Sequence, residues 1–186
     1  MADIRVLKTP IDGLVVIEPT KFGDDRGYFM ETYNLETFHK HGLDMEFIQD
    51  NESKSKRGVL RGLHFQTEFS QGKLVRCTKG SVWDVGVDLR KDSDTFGKWY
   101  GVELTEENKK MFYIPEGFAH GFIVLSDEAV FNYKCTNLYH PEVDGGVRWD
   151  DPEIGIVWPD PGCDLLLSEK DTKQPLLSEI KDSLKF

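Results

Sequence analysis

Two histidines in the sequence have neighbouring residues that suit a catalytic role. His64 lies in the run RGLHFQ (61–66), and His120 lies between two glycines further along the chain. Successive side chains of a strand point to opposite faces, so Gly62, His64 and Gln66 are predicted to share one face. Imidazole is a general base near neutral pH, which makes that face a candidate for proton transfer. A single isolated histidine is more simply explained as an ordinary hydrogen-bonded side chain, and the residues around His64 reverse that preference.

Cations gather around the first histidine. Arg61, Lys73 and Arg76 surround His64 on strands that we expect to be adjacent, in a chain whose formal net charge is −10. Such a cluster suits an anionic ligand, or a negative charge that develops during a reaction. The alternative is a solvated sheet face that neutralises nearby carboxylates. The overall acidity disfavours nucleic acids and anionic membranes as partners.

Short β-branched and aromatic runs, separated by Gly, Asn and Asp, predict an all-β sandwich or barrel. The clearest strand covers residues 82–89, where apolar side chains alternate with Asp84, Gly86 and Asp88. The other predicted strands cover residues 14–18, 28–32, 46–50, 60–65, 73–78, 99–104, 118–125 and 129–139. Helices are predicted at 35–41, after an Asn34 cap, and at 170–177.

The remaining composition points to one cytoplasmic domain. The 186 residues contain no repeat or linker, which predicts a single domain over residues 1–186. No apolar run is long enough to cross a membrane, and the N-terminus lacks the apolar centre of a signal peptide. Cys77, Cys135 and Cys163 form no CxxC pair, so we expect reduced, partly buried thiols.

The run PEGFAHGF (115–122), taken together with RGLHFQ, resembles the two-part signature of the cupin superfamily. Metal-binding cupins show HxH, then Glu, then a distant His. Here Gln66 occupies the place of the second histidine, and Gln71 stands about where the glutamate would fall. Amides are poor transition-metal ligands, and no GxGxxG loop follows a predicted strand. We therefore expect neither a metal nor a redox cofactor.

Over nearly its whole length the chain resembles the dTDP-4-dehydrorhamnose 3,5-epimerase family, whose fold is a cupin-type jelly-roll barrel. Several blocks match in the right order, which is far more specific than RGLH alone. The blocks are DDRGYFMETY (24–33), FIQDNESKS (47–55), GVLRGLHFQ (58–66), QGKLVRCTKGSVWDVGVDLR (71–90), PEGFAHGF (115–122), YKCTNLYHPEVDGGVRWDDP (133–152) and LSEKD (167–171).

The resemblance implies an isomerase that moves protons beside a sugar ketone without a cofactor, converting dTDP-4-keto-6-deoxy-D-glucose to dTDP-4-keto-L-rhamnose. In that reaction His64 is the base and Asp171 orients it. Lys73 stabilises the enolate, and Tyr133 is the acid. Without the resemblance, Lys73 could be an exposed strand lysine, and Tyr133 would be better explained as a core tyrosine with its hydroxyl at the surface.

The resemblance also implies a binding site for the substrate, a dTDP-linked 4-keto-6-deoxyhexose. An N-terminal segment that reaches the site of the partner in a homodimer completes it. Family positions at 144 more often hold Glu, so the contact made by the shorter Asp144 is less defined. The implied substrate-binding residues are Arg26, Phe29, Glu31, Gln49, Asp50, Asn51, Arg61, Lys73, His120, Asp144 and Lys170.

Four other functions stay open on the sequence. A mono-epimerase or a 3,4-ketoisomerase would use the same enolate chemistry on the same class of dTDP-keto-sugar. A non-catalytic cupin that binds a sugar nucleotide would need the cations but not the base and the acid. A metal-dependent cupin oxygenase would need the ligands that Gln66 and Gln71 replace.

Overall fold

The computed structural model describes residues 2–186; Met1 lies outside this range. Within it the chain forms thirteen strands, three short α-helices and one 3₁₀ turn. The strands are β1 Ile4–Lys8, β2 Val15–Pro19, β3 Lys21–Asp24, β4 Gly27–Met30, β5 Gln49–Lys56, β6 Leu60–Gln66, β7 Lys73–Lys79, β8 Ser81–Asp88, β9 Trp99–Thr105, β10 Met111–Ile114, β11 Phe118–Val124, β12 Glu128–Cys135 and β13 Asp144–Gly146. The helices are α1 Leu35–Lys40, α2 Glu169–Thr172 and α3 Leu177–Ile180, and the 3₁₀ turn is Pro141–Val143.

Two antiparallel sheets face each other and enclose the core. The larger has the order β1-β2-β10-β7-β12-β5, and the smaller β13-β6-β11-β8-β9. Apolar side chains from both sheets meet between them, among them Val75, Phe112, Phe122 and Phe131. Non-neighbouring strands of the chain lie side by side, as in a jelly roll. The expected all-β jelly-roll barrel is therefore confirmed.

The outer faces of both sheets are also covered. Phe38 of α1 and Leu43 pack with Leu74 and other residues on the outside of the larger sheet. Leu177 and Leu184 of the C-terminal segment cover the smaller sheet. Each fully buried Leu or Phe contributes about 1.5–3 kcal/mol. The apolar packing on the outer faces adds to the stability of the barrel. Part of the barrel interior can therefore be polar.

The first helix agrees with the sequence, and the last does not. Helix α1 begins after Asn34, whose side-chain oxygen accepts a hydrogen bond from the Thr37 backbone N–H at 3.2 Å. The single helix predicted over 170–177 is wrong, because α2 ends at Thr172 and α3 begins at Leu177. Pro175 lies in the break, where it lacks an N–H and disfavours helical backbone in the residue before it.

The strand predictions differ from the structure in several places. The strand predicted at 46–50 is β5, which begins only at Gln49 and runs through the polar sequence QDNESKSK. It is an edge strand, where charged side chains are common. The strand predicted at 129–139 ends at Cys135. Strands β1, β3, β10 and β13, which have three to five residues each, were not predicted.

No helix within residues 2–186 has the length and hydrophobicity to cross a bilayer. Two of the three thiols follow the expectation of burial, since Cys77 and Cys135 are buried. Cys163 differs, because it is exposed.

Candidate active site

His64 and Asp171 form a hydrogen-bonded pair. The His64 Nε2 and Asp171 Oδ1 atoms lie 2.5 Å apart. Ser168, the N-cap of α2, donates from its hydroxyl to Asp171 Oδ2 at 2.8 Å and accepts the Asp171 N–H. Burial favours a raised pKa, but the bonds from His64 and Ser168 outweigh it and hold the pKa of Asp171 below its ordinary value. The carboxylate is therefore charged at neutral pH and able to orient the imidazole.

Backbone pairing explains how residues 107 positions apart meet. The Leu166 N–H donates to the Gly58 carbonyl at 2.8 Å, and the Leu60 N–H donates to the Leu166 carbonyl at 3.0 Å. The segment that leads into α2 is thus fixed beside the start of β6. His64 lies on the same strand, so this pairing delivers Asp171 to it.

His120 belongs to a second pair, and its partner is a residue that the sequence analysis did not assign. His120 Nε2 lies 2.8 Å from Asp84 Oδ2. Asp84 is fully buried on β8, and among residues 2–186 its Oδ1 atom has no hydrogen-bond partner. Isolated buried carboxylate oxygens are costly and cluster at functional sites. The sequence feature that could have identified Asp84 is the polar face of the otherwise apolar strand predicted over residues 82–89.

Lys73 and Tyr133 face the barrel interior from neighbouring strands. Cys135 of β12 pairs with Lys73 of β7, and Tyr133 pairs with Val75, so Lys73 and Tyr133 lie two positions apart on one face. Burial lowers the pKa of the Lys73 ammonium and raises the pKa of the Tyr133 phenol. The phenol therefore keeps its proton at neutral pH. Within residues 2–186 no carboxylate lies within 4.0 Å of the Lys73 ammonium.

A shift in strand pairing brings Arg61 to the same side as His64. Between β11 and β6, His120 pairs with His64 while Phe122 pairs with Arg61, which places an irregularity between the two pairs. Gly62 allows it, since a Cβ there would lie 2.6 Å from the Gly121 Cα. Both Arg61 and His64 line a cavity of about 390 Å³ that also touches Asp171. The Arg61 guanidinium donates to Ser55 Oγ at 3.0 Å.

Further candidate residues lie at the rim of the barrel. Asp144 accepts hydrogen bonds from the Lys170 ammonium and from the Tyr139 hydroxyl. Gln49 accepts the Tyr139 N–H at 2.8 Å and donates to Asn51 Oδ1 at 3.1 Å. Four of the expected binding residues are thus joined through Tyr139 and its neighbours.

Asp50 and Arg76 do not face the barrel interior together with His64. Asp50 points to the outside of β5, where its carboxylate accepts from the Lys134 ammonium at 2.6 Å. Arg76 also lies outside, beside Leu74 and Met111, because it is three residues from Lys73 on a strand. The expectation that Arg76 is one of the cations around His64 is wrong. The strands β6 and β7 belong to different sheets.

Arg26, Phe29 and Glu31 lie in or beside the β3–β4 hairpin, a separate two-stranded sheet. The Phe29 side chain is 67% exposed. All hydrogen bonds of Arg26 within residues 2–186 go to Asp24 in the same hairpin. Glu31 accepts from the Asn34 amide at 3.3 Å. In the described part of the chain these three residues form no hydrogen bond to His64, Asp171, Lys73 or Tyr133.

The two glutamines at the metal positions contact backbone groups. The Gln66 amide donates to the Phe69 and Leu138 carbonyls, and its oxygen accepts the His140 N–H at 2.7 Å. The Gln71 amide donates to the Asn137 carbonyl at 2.8 Å. Both side chains therefore fix the loop after β12. The described part of the chain contains no group of three or more His, Cys, Asp or Glu arranged to hold a metal.

The assembled groups suit proton transfer next to a carbonyl. An imidazole with a carboxylate behind it can act as a base, an ammonium can stabilise an oxyanion, and a protonated phenol can act as an acid. A family model described as dTDP-4-dehydrorhamnose 3,5-epimerase matches residues 8–179. The chain belongs to this family. Members of the family are isomerases, so the chain is an enzyme, and the resemblance seen in the sequence is confirmed.

Individual relatives agree in sequence and in fold. The dTDP-4-dehydrorhamnose 3,5-epimerase of Methanothermobacter thermautotrophicus is 59% identical over 180 residues, covering 96% of this chain and 97% of that protein. The Escherichia coli K12 epimerase is 52% identical over 179 residues, covering 95% and 96%. A crystal structure of the Legionella pneumophila 3,5-epimerase in complex with dTDP-4-keto-L-rhamnose is 48% identical, with a TM-score of 0.94, covering 97% and 96%. The expected cupin-type barrel is confirmed.

Proposed function

We propose that the chain catalyses the 3,5-epimerisation of dTDP-4-keto-6-deoxy-D-glucose to dTDP-4-keto-L-rhamnose, a step of dTDP-L-rhamnose biosynthesis. The observation that carries the proposal is the pair of His64 and Asp171 in one barrel with the Lys73 ammonium and the Tyr133 phenol. The named relatives at 52–59% identity support the same reaction.

In this mechanism His64 removes the proton from the carbon next to the ketone. Asp171 stabilises the imidazolium that forms. The electron pair moves to the ketone oxygen, where the Lys73 ammonium stabilises the enolate. Tyr133 then returns a proton to the opposite face of the same carbon, which inverts it. His64 then releases its proton to solvent and Tyr133 takes one up from solvent, which resets the base and the acid. The same two steps invert the other carbon that flanks the ketone.

The other functions lack specific support in the site. A sugar-nucleotide-binding protein does not need a buried carboxylate behind His64, and that carboxylate is present. A mono-epimerase or a ketoisomerase would use the same residues with a different ring position. The product of the reaction therefore decides between them.

The test is a product analysis in heavy water with EDTA and without added nicotinamide. The chain is expected to convert dTDP-4-keto-6-deoxy-D-glucose to dTDP-4-keto-L-rhamnose, with deuterium at carbons 3 and 5. Proton transfer by side chains requires no metal, so EDTA should not change the rate. Deuterium and inversion at only one carbon would identify a mono-epimerase. Loss of turnover that returns on adding a divalent metal would contradict the cofactor-free mechanism.

We further propose a homodimer in which the β3–β4 hairpin of one protomer completes the partner's site. Phe22, Tyr28 and Phe29 are exposed at 44%, 54% and 67%, and exposed aromatic groups on a projecting hairpin suit an interface. In the partner's site Arg26 would hold the diphosphate, Phe29 the thymine and Glu31 a further polar group of the nucleotide. Gln49 and Asn51 would complete that pocket, and His120, Asp144 and Lys170 would line the sugar end.

Arg61 and Arg26 are expected to bind the nucleotide rather than act in the chemical step. Replacing either with Ala should raise KM about 10-fold or more with a smaller loss of kcat, because the diphosphate is held before and after proton transfer. Lys at either position should rescue only partly, since it lacks the planar fork of Arg. Arg5→Ala, which removes an exposed arginine that pairs with Glu18, is the control. Unchanged dTDP affinity in both Ala variants would contradict the assignment.

Mixing Arg26→Ala protomers with His64→Ala protomers tests whether the hairpin is exchanged. If it crosses, one site of each mixed dimer combines an intact barrel with an intact hairpin. Activity at low substrate concentration should then rise above that of either parent, to at most about a quarter of wild type. If each hairpin serves its own barrel, every site keeps one defect and mixing restores nothing.

We also propose that residues 1–186 act as one epimerase domain in the cytoplasm, with no nucleic-acid or membrane partner. The three free thiols support a location in a reducing compartment. The net negative charge disfavours nucleic acids and anionic membranes and so supports a small-molecule partner.

A further inference from the structure

Asp84 is a buried charge that the mechanism above does not use. It lies on the inner face of β8, and its exposure is 0%. Its Oδ2 atom is bound to His120, while Oδ1 has no partner among residues 2–186. Desolvation is costly for a buried carboxylate, and burial raises the pKa of this one, although His120 and Lys73 both oppose the shift. An unpaired oxygen inside a reaction chamber calls for a functional explanation.

The charges around Lys73 single out Asp84. The ionisable groups that act on Lys73 from the elements around it are Cys135 of β12, Asp144 of β13, Asp84 of β8 and Lys170 of α2. Burial raises the pKa of Cys135, so the thiol is neutral at pH 7. Asp144 is already paired with Lys170. Asp84 is the carboxylate of this set that has no lysine or arginine within 4.0 Å among residues 2–186.

An enolate needs a charged ammonium beside it. Burial alone lowers the pKa of Lys73, because a desolvated ammonium loses its proton more readily. A nearby carboxylate restores the charged form. A carboxylate directly on the ammonium would occupy the donors that the enolate oxygen requires, and no carboxylate within residues 2–186 is that close. A carboxylate set further back provides the charge and leaves the donors free.

We propose that Asp84 is a positioning residue for the epimerisation: one carboxylate oxygen fixes the His120 ring, and its charge keeps Lys73 protonated with its donors directed into the chamber. This inference rests on the proposed function, since it assigns Asp84 a role through Lys73. Tyr133 is influenced by Cys135 and Arg61 instead, so the acid is not controlled by Asp84.

The pH dependence of kcat tests the proposal. In Asp84→Asn the charge is lost at nearly constant shape, so the alkaline limb of kcat should move down by about one pH unit or more. The fall in kcat should therefore be larger at high pH than at low pH. KM should change less than about threefold, because the nucleotide is bound elsewhere. Asp84→Glu, which keeps the charge, should return the limb toward its wild-type position.

Two controls separate this role from a structural one. Asp88→Asn changes another fully buried aspartate of β8, which is bound to Arg90, Ser93 and Thr95 and not to Lys73; its limb should stay in place. His120→Asn keeps the Asp84 carboxylate but removes the imidazole that favours its charged form, so the limb should move down by less than about one pH unit, a smaller shift than in Asp84→Asn. A uniform loss of kcat at every pH in Asp84→Asn, or a downward shift of about one pH unit or more in His120→Asn, would overturn the proposal. An inactive wild type would instead contradict the proposed function.

Discussion

In heavy water the His64→Ala variant is expected to lose deuterium exchange and inversion together at both carbons. His64 is the base in the proposed mechanism, so no enolate forms without it and no later step can proceed. The loss should reach at least about 10²–10⁴-fold, the usual contribution of a general base. Mass spectrometry of the recovered sugar nucleotide measures exchange, and NMR measures inversion.

Asp171→Asn should resemble a weakened His64→Ala. The amide cannot stabilise the imidazolium as a carboxylate does, although its shape preserves the contacts to His64 and Ser168. His39→Ala removes an exposed histidine of α1 and is the matched control, with no expected change. Normal exchange in His64→Ala would show that another group removes the proton, and the mechanism would fail.

Alternation along strands was enough to predict part of the site. It placed His64 with Gly62 and Gln66 on one face, and the pairing of His64 with His120 agrees with that face being internal. The same rule predicted the polar face of β8, which turned out to point into the barrel. These successes rest on the strict two-residue period of a strand, which a sequence displays directly.

Contacts that depend on pairing between strands were not visible in the pattern. Arg61 and His64 are three residues apart, which places them on opposite faces of a regular strand. They meet because the pairing of β11 with β6 shifts at Gly62 and Gly121. Arg76 is the opposite case: it is near His64 in the sequence but not in the structure, because their strands belong to different sheets.

Long-range contacts needed either the family resemblance or the structure. Nothing in the spacing of His64 and Asp171 pairs them, because the contact depends on the segment around Leu166 returning to β6. The resemblance supplied that pair. It supplied no role for Asp84, whose unpaired oxygen is a property of three-dimensional packing. Asp50 shows why roles cannot be transferred from the family to every residue of a matching block. Adjacent residues of a strand point to opposite sides, and the Asp50 side chain points outward.

Tyr133→Phe is expected to separate exchange from inversion. The variant keeps His64 and Lys73, so the α-proton still leaves and the enolate still forms. Solvent deuterium then returns from the His64 side, which restores the original configuration. Inversion should fall by about 10²-fold or more, the contribution of a general acid, while exchange should fall by less than about tenfold. The phenol hydroxyl is the only group removed, and the ring that packs beside Phe131 remains.

The decisive measurement is deuterium in substrate that has not inverted. Recovered dTDP-4-keto-6-deoxy-D-glucose from Tyr133→Phe should carry the label, whereas the same material from His64→Ala should not. Tyr100→Phe is the matched control, because Tyr100 packs against the apolar core and should invert both carbons at the wild-type rate. If Tyr133→Phe inverts carbon 5 at the wild-type rate, another donor serves that face. If exchange disappears together with inversion, Tyr133 is needed to form the enolate, and the division of base and acid between His64 and Tyr133 is wrong.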